Sequence, residues 1–222
     1  MQDEQTDALI VGAGPGGLAA AIELADQGVE PLVLERRPRL SRHPRTTALT
    51  AEAMRLMSRW GVSDEVCRHG SPSGPALSGE TGVAGSELPL LSPDEQVWTC
   101  PQGRLEEILS IRALAGGAEV RYGTQLIGLC ETAGAVTATA ATTDGVAAGI
   151  RARYVVGADG TYPGPDLSLA LQDGAAAGAA IAHALARGDE PAELAGYRPQ
   201  ERVPAAGRPE PAQPRTRELL RG

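Results

Sequence analysis

The feature that most constrains the fold is a glycine-rich turn between two apolar runs. Residues 12–17 read GAGPGG and fit the pattern G-x-G-x-x-G. They follow the apolar run 7–11 and open a segment, 15–28, whose apolar residues have helical spacing. A second apolar run, 31–34, leads directly into Glu35. This order is typical of the βαβ unit that binds dinucleotides, so the sequence predicts an α/β fold with a parallel sheet. A glycine-rich turn that binds no ligand is the open alternative.

The glycines of this turn have separate physical roles in binding a diphosphate. Gly12 makes the tight turn, Gly14 lets the diphosphate approach the backbone, and Gly17 lets the helix pack closely on the strand. Pro15 and Gly16 open the helix, whose N–H groups and positive dipole end attract an anion. The pattern alone does not separate FAD from NAD.

Glu35 stands at the end of the second predicted strand. A carboxylate at this point can accept hydrogen bonds from the hydroxyls of an adenosine ribose. Glu35 is therefore the candidate residue for recognising the adenosine half of the ligand.

Composition excludes several other functions. The formal net charge of −8 argues against a nucleic-acid partner, which requires a basic surface. The sequence contains no lysine, which excludes a Walker A lysine and a Schiff base. We also expect no signal peptide, because the first residues are acidic, and no run of apolar residues is long enough for a membrane span. We expect a soluble, cytoplasmic protein with no membrane partner.

The cysteines and histidines are scattered along the sequence and follow no metal-ligand spacing. We therefore expect free thiols, isolated imidazoles and no metal site. The cysteines are Cys67, Cys100 and Cys130, and the histidines are His43, His69 and His183.

Periodicity and turn residues predict the remaining elements. Residues 71–93 are rich in Ser, Gly and Pro and suggest a hairpin or loop lobe, and the Pro/Arg-rich sequence from Pro204 onward suggests a disordered tail. Helices are predicted at 47–60, 103–115, 167–187 and 190–200, and short strands at 118–121, 124–131, 134–142 and 147–156.

Four further segments accompany the glycine turn in a characteristic order. They are VLERRP at 33–38, RHPR at 42–45, PQGRLE at 101–106 and YVVGADG at 154–160. Together they resemble the FAD-dependent aromatic hydroxylases, the group A flavoprotein monooxygenases of the para-hydroxybenzoate hydroxylase type. The branch that hydroxylates phenols and aromatic polyketides is most similar. The resemblance implies a Rossmann-like FAD-binding domain with a small antiparallel β meander.

The resemblance also implies which residues bind FAD. Besides the glycine turn and Glu35, it assigns Arg45 to the phosphates of FAD, and Gln102 and Arg104 to the ribityl chain and the dinucleotide. Asp159 of the Asp-Gly motif is assigned to FAD and is linked to NAD(P)H use, and the start of the helix at Leu167 is assigned to the flavin ring. The implied residues are Arg36, Arg45, Gln102, Arg104, Asp159, Gly160, Leu167 and Ser168.

Plainer interpretations of four of these residues stay open. Arg45 can be a solvated surface arginine, and Gln102 can be a polar residue at a helix N-terminus. Asp159 and Gly160 can form an ordinary turn at the end of a strand. The catalytic residues are not identified by the sequence.

The implied reaction uses NADPH or NADH to reduce FAD, and transfers oxygen from O₂ to a small aromatic or polyketide substrate. A non-catalytic FAD-binding remnant and an uncoupled NAD(P)H oxidase are the alternatives. A nicotinamide-binding Rossmann module is disfavoured by Arg45, Gln102 and Asp159. A homodimer is compatible with the sequence.

The chain departs from the family after the Asp-Gly motif. Tyr162 is joined through Pro-Gly-Pro to a segment, beginning at Asp166, that resembles a much later part of the family sequence. A coincidental Ala-rich helix is the alternative. We therefore expect an internally truncated protein whose substrate lobe is largely missing. The expected division is an FAD-binding domain at 1–162 with a substrate-lobe remnant at 71–100, returning helices at 163–203, and a tail at 204–222.

Overall fold

The computed structural model describes residues 4–40, 45–73, 97–132, 134–160 and 167–188. Its elements follow in this order along the chain: β1 (Glu4–Val11), α1 (Pro15–Asp26), β2 (Leu32–Glu35), β3 (Thr46–Leu49), α2 (Ala51–Arg59), α3 (Ser63–His69), β4 (Ser71–Ser73), β5 (Val97–Pro101), α4 (Gln102–Ala115), β6 (Glu119–Tyr122), β7 (Thr124–Thr132), β8 (Ala135–Thr142), β9 (Ala147–Gly157) and α5 (Leu167–Arg187).

The larger sheet has six strands in the order β6-β2-β1-β9-β8-β7. Strand β1 pairs in parallel with both β2 and β9, and β2 pairs in parallel with β6. Strand β8 pairs antiparallel with both β7 and β9, and these three strands form a meander. The predicted α/β fold with a parallel βαβ unit and a small antiparallel meander is confirmed.

The two faces of this sheet bury different apolar clusters. Ala8, Ile10 and Val33 face the helices, where they join side chains of α1, α4 and α5. Leu9 and Leu34 alternate to the other face and pack against the meander. Because successive residues of a strand point to opposite faces, both faces of the central strands are covered, which explains their continuous apolar sequence.

A second, three-stranded antiparallel sheet has the order β3-β5-β4. The helix predicted at 47–60 is wrong at its start, because residues 46–49 form β3 and pair with β5. The helix begins only at Ala51, after Thr50, whose side chain accepts a hydrogen bond from the backbone N–H of Ala53. Pairing with a strand distant in the sequence outweighs the local helical pattern here. Helix α3 was not predicted.

Strand β5 was not predicted either, and β4 lies in the segment for which a hairpin or loop lobe was predicted. The remaining described elements agree with their predictions to within a few residues. Helix α1 is shorter than its predicted range, and Gly28, just beyond its end, has a φ of 77°. Helix α5 has its predicted limits. The predicted helix at 190–200, the tail from Pro204, the Pro-Gly-Pro junction and most of the 71–93 lobe lie outside the described residues. None of the described helices has the length and hydropathy needed to cross a membrane.

Candidate cofactor-binding site

The glycine turn lies at the carboxyl ends of the parallel strands. The backbone N–H of Gly12 donates to the carbonyl oxygen of Leu34 at 2.8 Å, and that of Ala158 donates to the carbonyl oxygen of Val11 at 2.8 Å. Three strand ends therefore meet at this turn. In open α/β sheets, this edge of the sheet is where ligands bind.

The glycines of the turn differ in what surrounds them. Gly12 has a φ of +111°, and a Cβ there would lie 2.2 Å from the carbonyl oxygen of Ala158. A Cβ at Gly17 would lie 1.9 Å from the carbonyl oxygen of Gly12. A Cβ at Gly14, by contrast, would have no heavy atom within 4 Å apart from those of its own residue and its two chain neighbours. The fold itself requires Gly12 and Gly17, whereas Gly14 leaves open space in front of the turn.

The N-terminus of α1 faces this space without a side-chain cap. Gly14 is the N-cap residue, Pro15 occupies the first turn, and that turn carries no acidic side chain. The first N–H groups of a helix lack partners within the helix, and its dipole is positive at this end. The open space and the helix end together suit an anionic diphosphate.

Glu35 is buried beside the turn, with 4% of its surface exposed. Its Oε2 accepts a hydrogen bond from the backbone N–H of Ala13 at 2.9 Å, and its Oε1 accepts from the backbone N–H and the Nε of Arg37, both at 2.9 Å. Burial alone raises the pKa of the Glu35 carboxyl, but these hydrogen bonds outweigh burial, so the pKa lies below its ordinary value. Glu35 is therefore an ionised acceptor fixed against the glycine turn.

Arg37 and Glu106 join this site, although the sequence did not point to them. Arg37 Nη1 lies 3.7 Å from Glu106 Oε2, and Glu106 Oε1 accepts from Gln102 Nε2 at 2.9 Å. Glu106 is 1% exposed. In the sequence, the only local signal for Arg37 was its place as the second arginine of Arg-Arg. The only local signal for Glu106 was its position four residues after Gln102, on the same helix face.

Gln102 and Arg45 are brought together by a backbone contact. The N–H of Gln102 donates to the carbonyl oxygen of Arg45 at 2.7 Å, where β3 meets the start of α4. Arg36, Arg45 and Arg104 are exposed, and Arg104 pairs with Glu107 at 2.7 Å. Contact of these arginines and of Gln102 with a cofactor stays a prediction.

The Asp-Gly motif lies at the end of β9. Asp159 and Gly160 are exposed, and Gly160 has a φ of 75°, so it turns the chain where most residues would be strained. Asp159 borders an open cavity of about 780 Å³ together with Val11 and Gly157. No residue of the 12–17 turn lines this cavity.

Leu167 and Ser168 begin α5. Ser168 is fully buried, and its hydroxyl accepts from the backbone N–H of Thr50 and donates to the carbonyl oxygen of Ala48. Leu167 packs against the helix-side core. These contacts fasten the start of α5 to β3 and α2, and the predicted flavin contact of the two residues stays a prediction.

Helix α5 lies tightly against α1, beside the turn. A Cβ at Gly174 would lie 1.9 Å from the carbonyl oxygen of Gly16, and a Cβ at Gly178 would lie 2.5 Å from that of Ala20. A Cβ at Gly16 would lie 2.9 Å from the carbonyl oxygen of Ala170. This fit depends on small residues in both helices, which let α5 pack directly on α1.

The residue types at this edge fit a dinucleotide. An open turn, a helix N-terminus and a buried carboxylate suit its diphosphate and ribose.

Among the described residues, no three Cys, His, Asp or Glu side chains are grouped as a metal site. Cys67, Cys100 and Cys130 are free thiols, as expected, and burial raises the pKa of Cys100 to about 11.

Residues 5–163 match the family model described as FAD binding domain. The chain belongs to this FAD-binding family. Aklavinone 12-hydroxylase RdmE of Streptomyces purpurascens is 39% identical in an alignment 181 residues long, which covers 72% of this chain and 34% of that protein. The 3-(3-hydroxy-phenyl)propionate/3-hydroxycinnamic acid hydroxylase of Mycobacterium sp. (strain JLS) is 35% identical in an alignment 164 residues long, which covers 71% of this chain and 28% of that protein.

Among solved structures, the ternary complex of aklavinone-11 hydroxylase with FAD and aklavinone superposes with a TM-score of 0.57 at 35% identity. The match covers 72% of this chain and 34% of that one. The chain thus spans about a third of the length of the relatives it matches. The resemblance to FAD-dependent aromatic and polyketide hydroxylases is confirmed.

Proposed function

We propose that this chain binds FAD and forms the cofactor-binding part of an NAD(P)H- and O₂-dependent monooxygenase acting on an aromatic or polyketide substrate. The observation that carries the proposal is the contact between Ala13 and Glu35. It places a buried acceptor beside the open space at Gly14 and the N-terminus of α1. Membership of the FAD-binding family and the hydroxylases among its relatives support the same function.

In this proposal the chain's own groups bind and orient the dinucleotide. The N–H groups at the start of α1 donate to the diphosphate, and Glu35 accepts from the adenosine ribose. Arg45 supplies a planar, permanently charged guanidinium for the phosphates. When bound, FAD supplies the redox and oxygen chemistry.

The substrate side is proposed from the relatives alone. Hydroxylation needs a pocket that holds the aromatic ring and excludes water. Three expectations stay predictions: the division into an FAD-binding domain and returning helices, the homodimer, and the cytoplasmic location.

Purified protein incubated with FAD and desalted provides the test. We expect one FAD per chain, and NADPH or NADH oxidation that matches the hydroxylated phenol formed from a panel of simple phenols. Oxidation matched by H₂O₂ with no hydroxylated product would support an uncoupled oxidase instead. Protein that retains FAD but oxidises neither nucleotide would support a non-catalytic FAD-binding protein. Protein that binds no FAD would overturn the proposal.

Glu35→Ala provides a second test of the adenosine contact. Loss of a buried acceptor should weaken FAD binding by about 1–3 kcal/mol, because the ribose hydroxyls lose their partner in the complex. Titration of FAD fluorescence measures this change. An unchanged dissociation constant would place the ribose elsewhere.

A further inference from the structure

The described parts of the two sheets end in four edge strands, and three of these strands are protected against pairing with another chain. Strand β6 has only four residues, and Arg121 pairs there with Glu119 at 2.6 Å. Strand β4 has three residues, including Pro72, which has no backbone N–H to donate. Strand β3 has four residues and is held against α5, where the Ser168 hydroxyl donates to the carbonyl oxygen of Ala48. Short length, charged side chains, proline and a covering element all prevent edge-to-edge association.

Strand β7, the fourth edge, lacks most of these features. It has nine residues, and the run from Thr124 to Cys130 contains no charged residue and no proline. A β-bulge at Ile127 interrupts its register with β8, and a bulge is itself a protective feature. Beyond the bulge, however, Gly128–Thr132 pair with β8 in unbroken register. Strand β7 is therefore the least protected edge of the described sheets.

Apolar side chains are exposed along this edge. Ile127 is 58% exposed and Leu129 is 54% exposed. Leu129 also lines the open cavity beside Asp159, together with Leu126 and Val136. Contiguous exposed apolar surface is typical of a protein–protein contact. Because this surface adjoins a strand that pairs on one side only in the described sheet, it suits a partner that adds a strand to the sheet.

A second copy of the chain is the partner that this edge fits best. Antiparallel pairing of two identical strands around a two-fold axis satisfies both edges with the same residues. Like charges directly opposite each other would destabilise such a pair, but the run 124–130 is uncharged. The net charge of −8 acts between the copies over a longer range, where salt screens it. The sequence left a homodimer open without indicating its surface.

We propose that two copies of this chain pair antiparallel along β7, between Gln125 and Glu131, so that their six-stranded sheets form one continuous sheet. Ile127 and Leu129 of each copy contact the other copy, which covers the side of the cavity that Leu129 lines. Because the other described edges are protected, assembly stops at two copies. The inference does not require that FAD binds, so its failure would leave the proposed function intact.

The association state of the purified chain provides the first test. Sedimentation equilibrium of wild type should show a species of twice the mass of one chain, and no larger species as the concentration rises. Leu129→Lys places a charge on the edge strand and should weaken the dimer by about tenfold or more. Leu114→Lys is the matched control, the same change at a 49% exposed position on α4, and should leave the dimer unchanged.

Hydrogen exchange distinguishes strand pairing from contact between side chains alone. Backbone N–H groups within 125–131 should exchange more slowly in concentrated wild type, where the dimer forms, than in dilute wild type. Those within 119–122, on the opposite edge of the same sheet, should exchange equally at both concentrations.

Four outcomes would overturn the inference. They are a wild type that stays monomeric, a wild type that grows into ever larger species, a Leu129→Lys dimer as tight as that of wild type, and an equal loss in Leu114→Lys. Thermal unfolding identifies a variant that does not fold, in which case hydrogen exchange of wild type decides. Unchanged exchange within 125–131 on dimerisation would place the interface on another surface.

Discussion

The side chain allowed at position 17 is restricted by the packing of the protein rather than by a ligand. A Cβ there would lie 1.9 Å from the carbonyl oxygen of Gly12, closer than any unstrained contact. We predict that Gly17→Ala lowers the free energy of unfolding by about 1–3 kcal/mol or more, since the backbone of the turn must shift. Urea unfolding measures the change. Gly14→Ala, at a position with a φ of −76° and open surroundings, should stay within about 0.5 kcal/mol of wild type. Equal stability of the two variants would contradict this interpretation.

Glu35 links stability to pH. Its pKa in the folded protein lies below the ordinary value of 4.5, so its stabilising contribution is present above that value and is lost as the pH falls through the folded pKa. We predict that wild type is more stable than Glu35→Gln at neutral pH, and that the difference shrinks once the pH falls below about 4.5. Urea unfolding between pH 7 and pH 3 measures this difference. A difference that is constant over the whole range would show that the Glu35 charge does not contribute.

At the scale of the elements, the fit of α5 on α1 is the most demanding contact. Alanine favours a helix over glycine by about 1 kcal/mol, but a Cβ at Gly174 would lie 1.9 Å from the carbonyl oxygen of Gly16. We predict that the clash prevails and that Gly174→Ala lowers the free energy of unfolding by about 1–3 kcal/mol. Ala176→Leu, at an exposed position of the same helix, is the control and should have little effect on urea unfolding. A stabilised Gly174→Ala would show that α5 does not pack this closely.

The elements also show what the sequence could and could not predict. The βαβ unit, α4, the meander and α5 were predicted because their signals are local: apolar periodicity, glycine stops and a strand ending in Glu35. Strand β3 was missed because residues 46–49 acquire their conformation from pairing with β5, which lies far away in the sequence. The contact of Arg37 with Glu106 was missed for the same reason, since only the packing of α4 beside β2 brings them together.

On the scale of the whole molecule, binding of FAD should raise stability. A ligand that binds only the folded chain stabilises it by about 2.7 kcal/mol when its concentration is a hundred times its dissociation constant. The thermal midpoint of wild type should therefore rise steadily with added FAD. The chain spans only about a third of the length of the relatives it matches, so this measurement tests directly whether a chain of this length binds the cofactor.

The most direct measurement compares the thermal midpoints of wild type and Gly14→Val with and without FAD. Apart from its own residue and its two chain neighbours, no heavy atom lies within 4 Å of a Cβ at position 14, so the ligand-free variant should unfold near the wild-type temperature. The valine side chain fills the space proposed for the diphosphate. We predict that FAD raises the midpoint of wild type and leaves that of Gly14→Val unchanged. A Gly14→Val protein that FAD stabilises as much as wild type would contradict the placement of the cofactor at this turn.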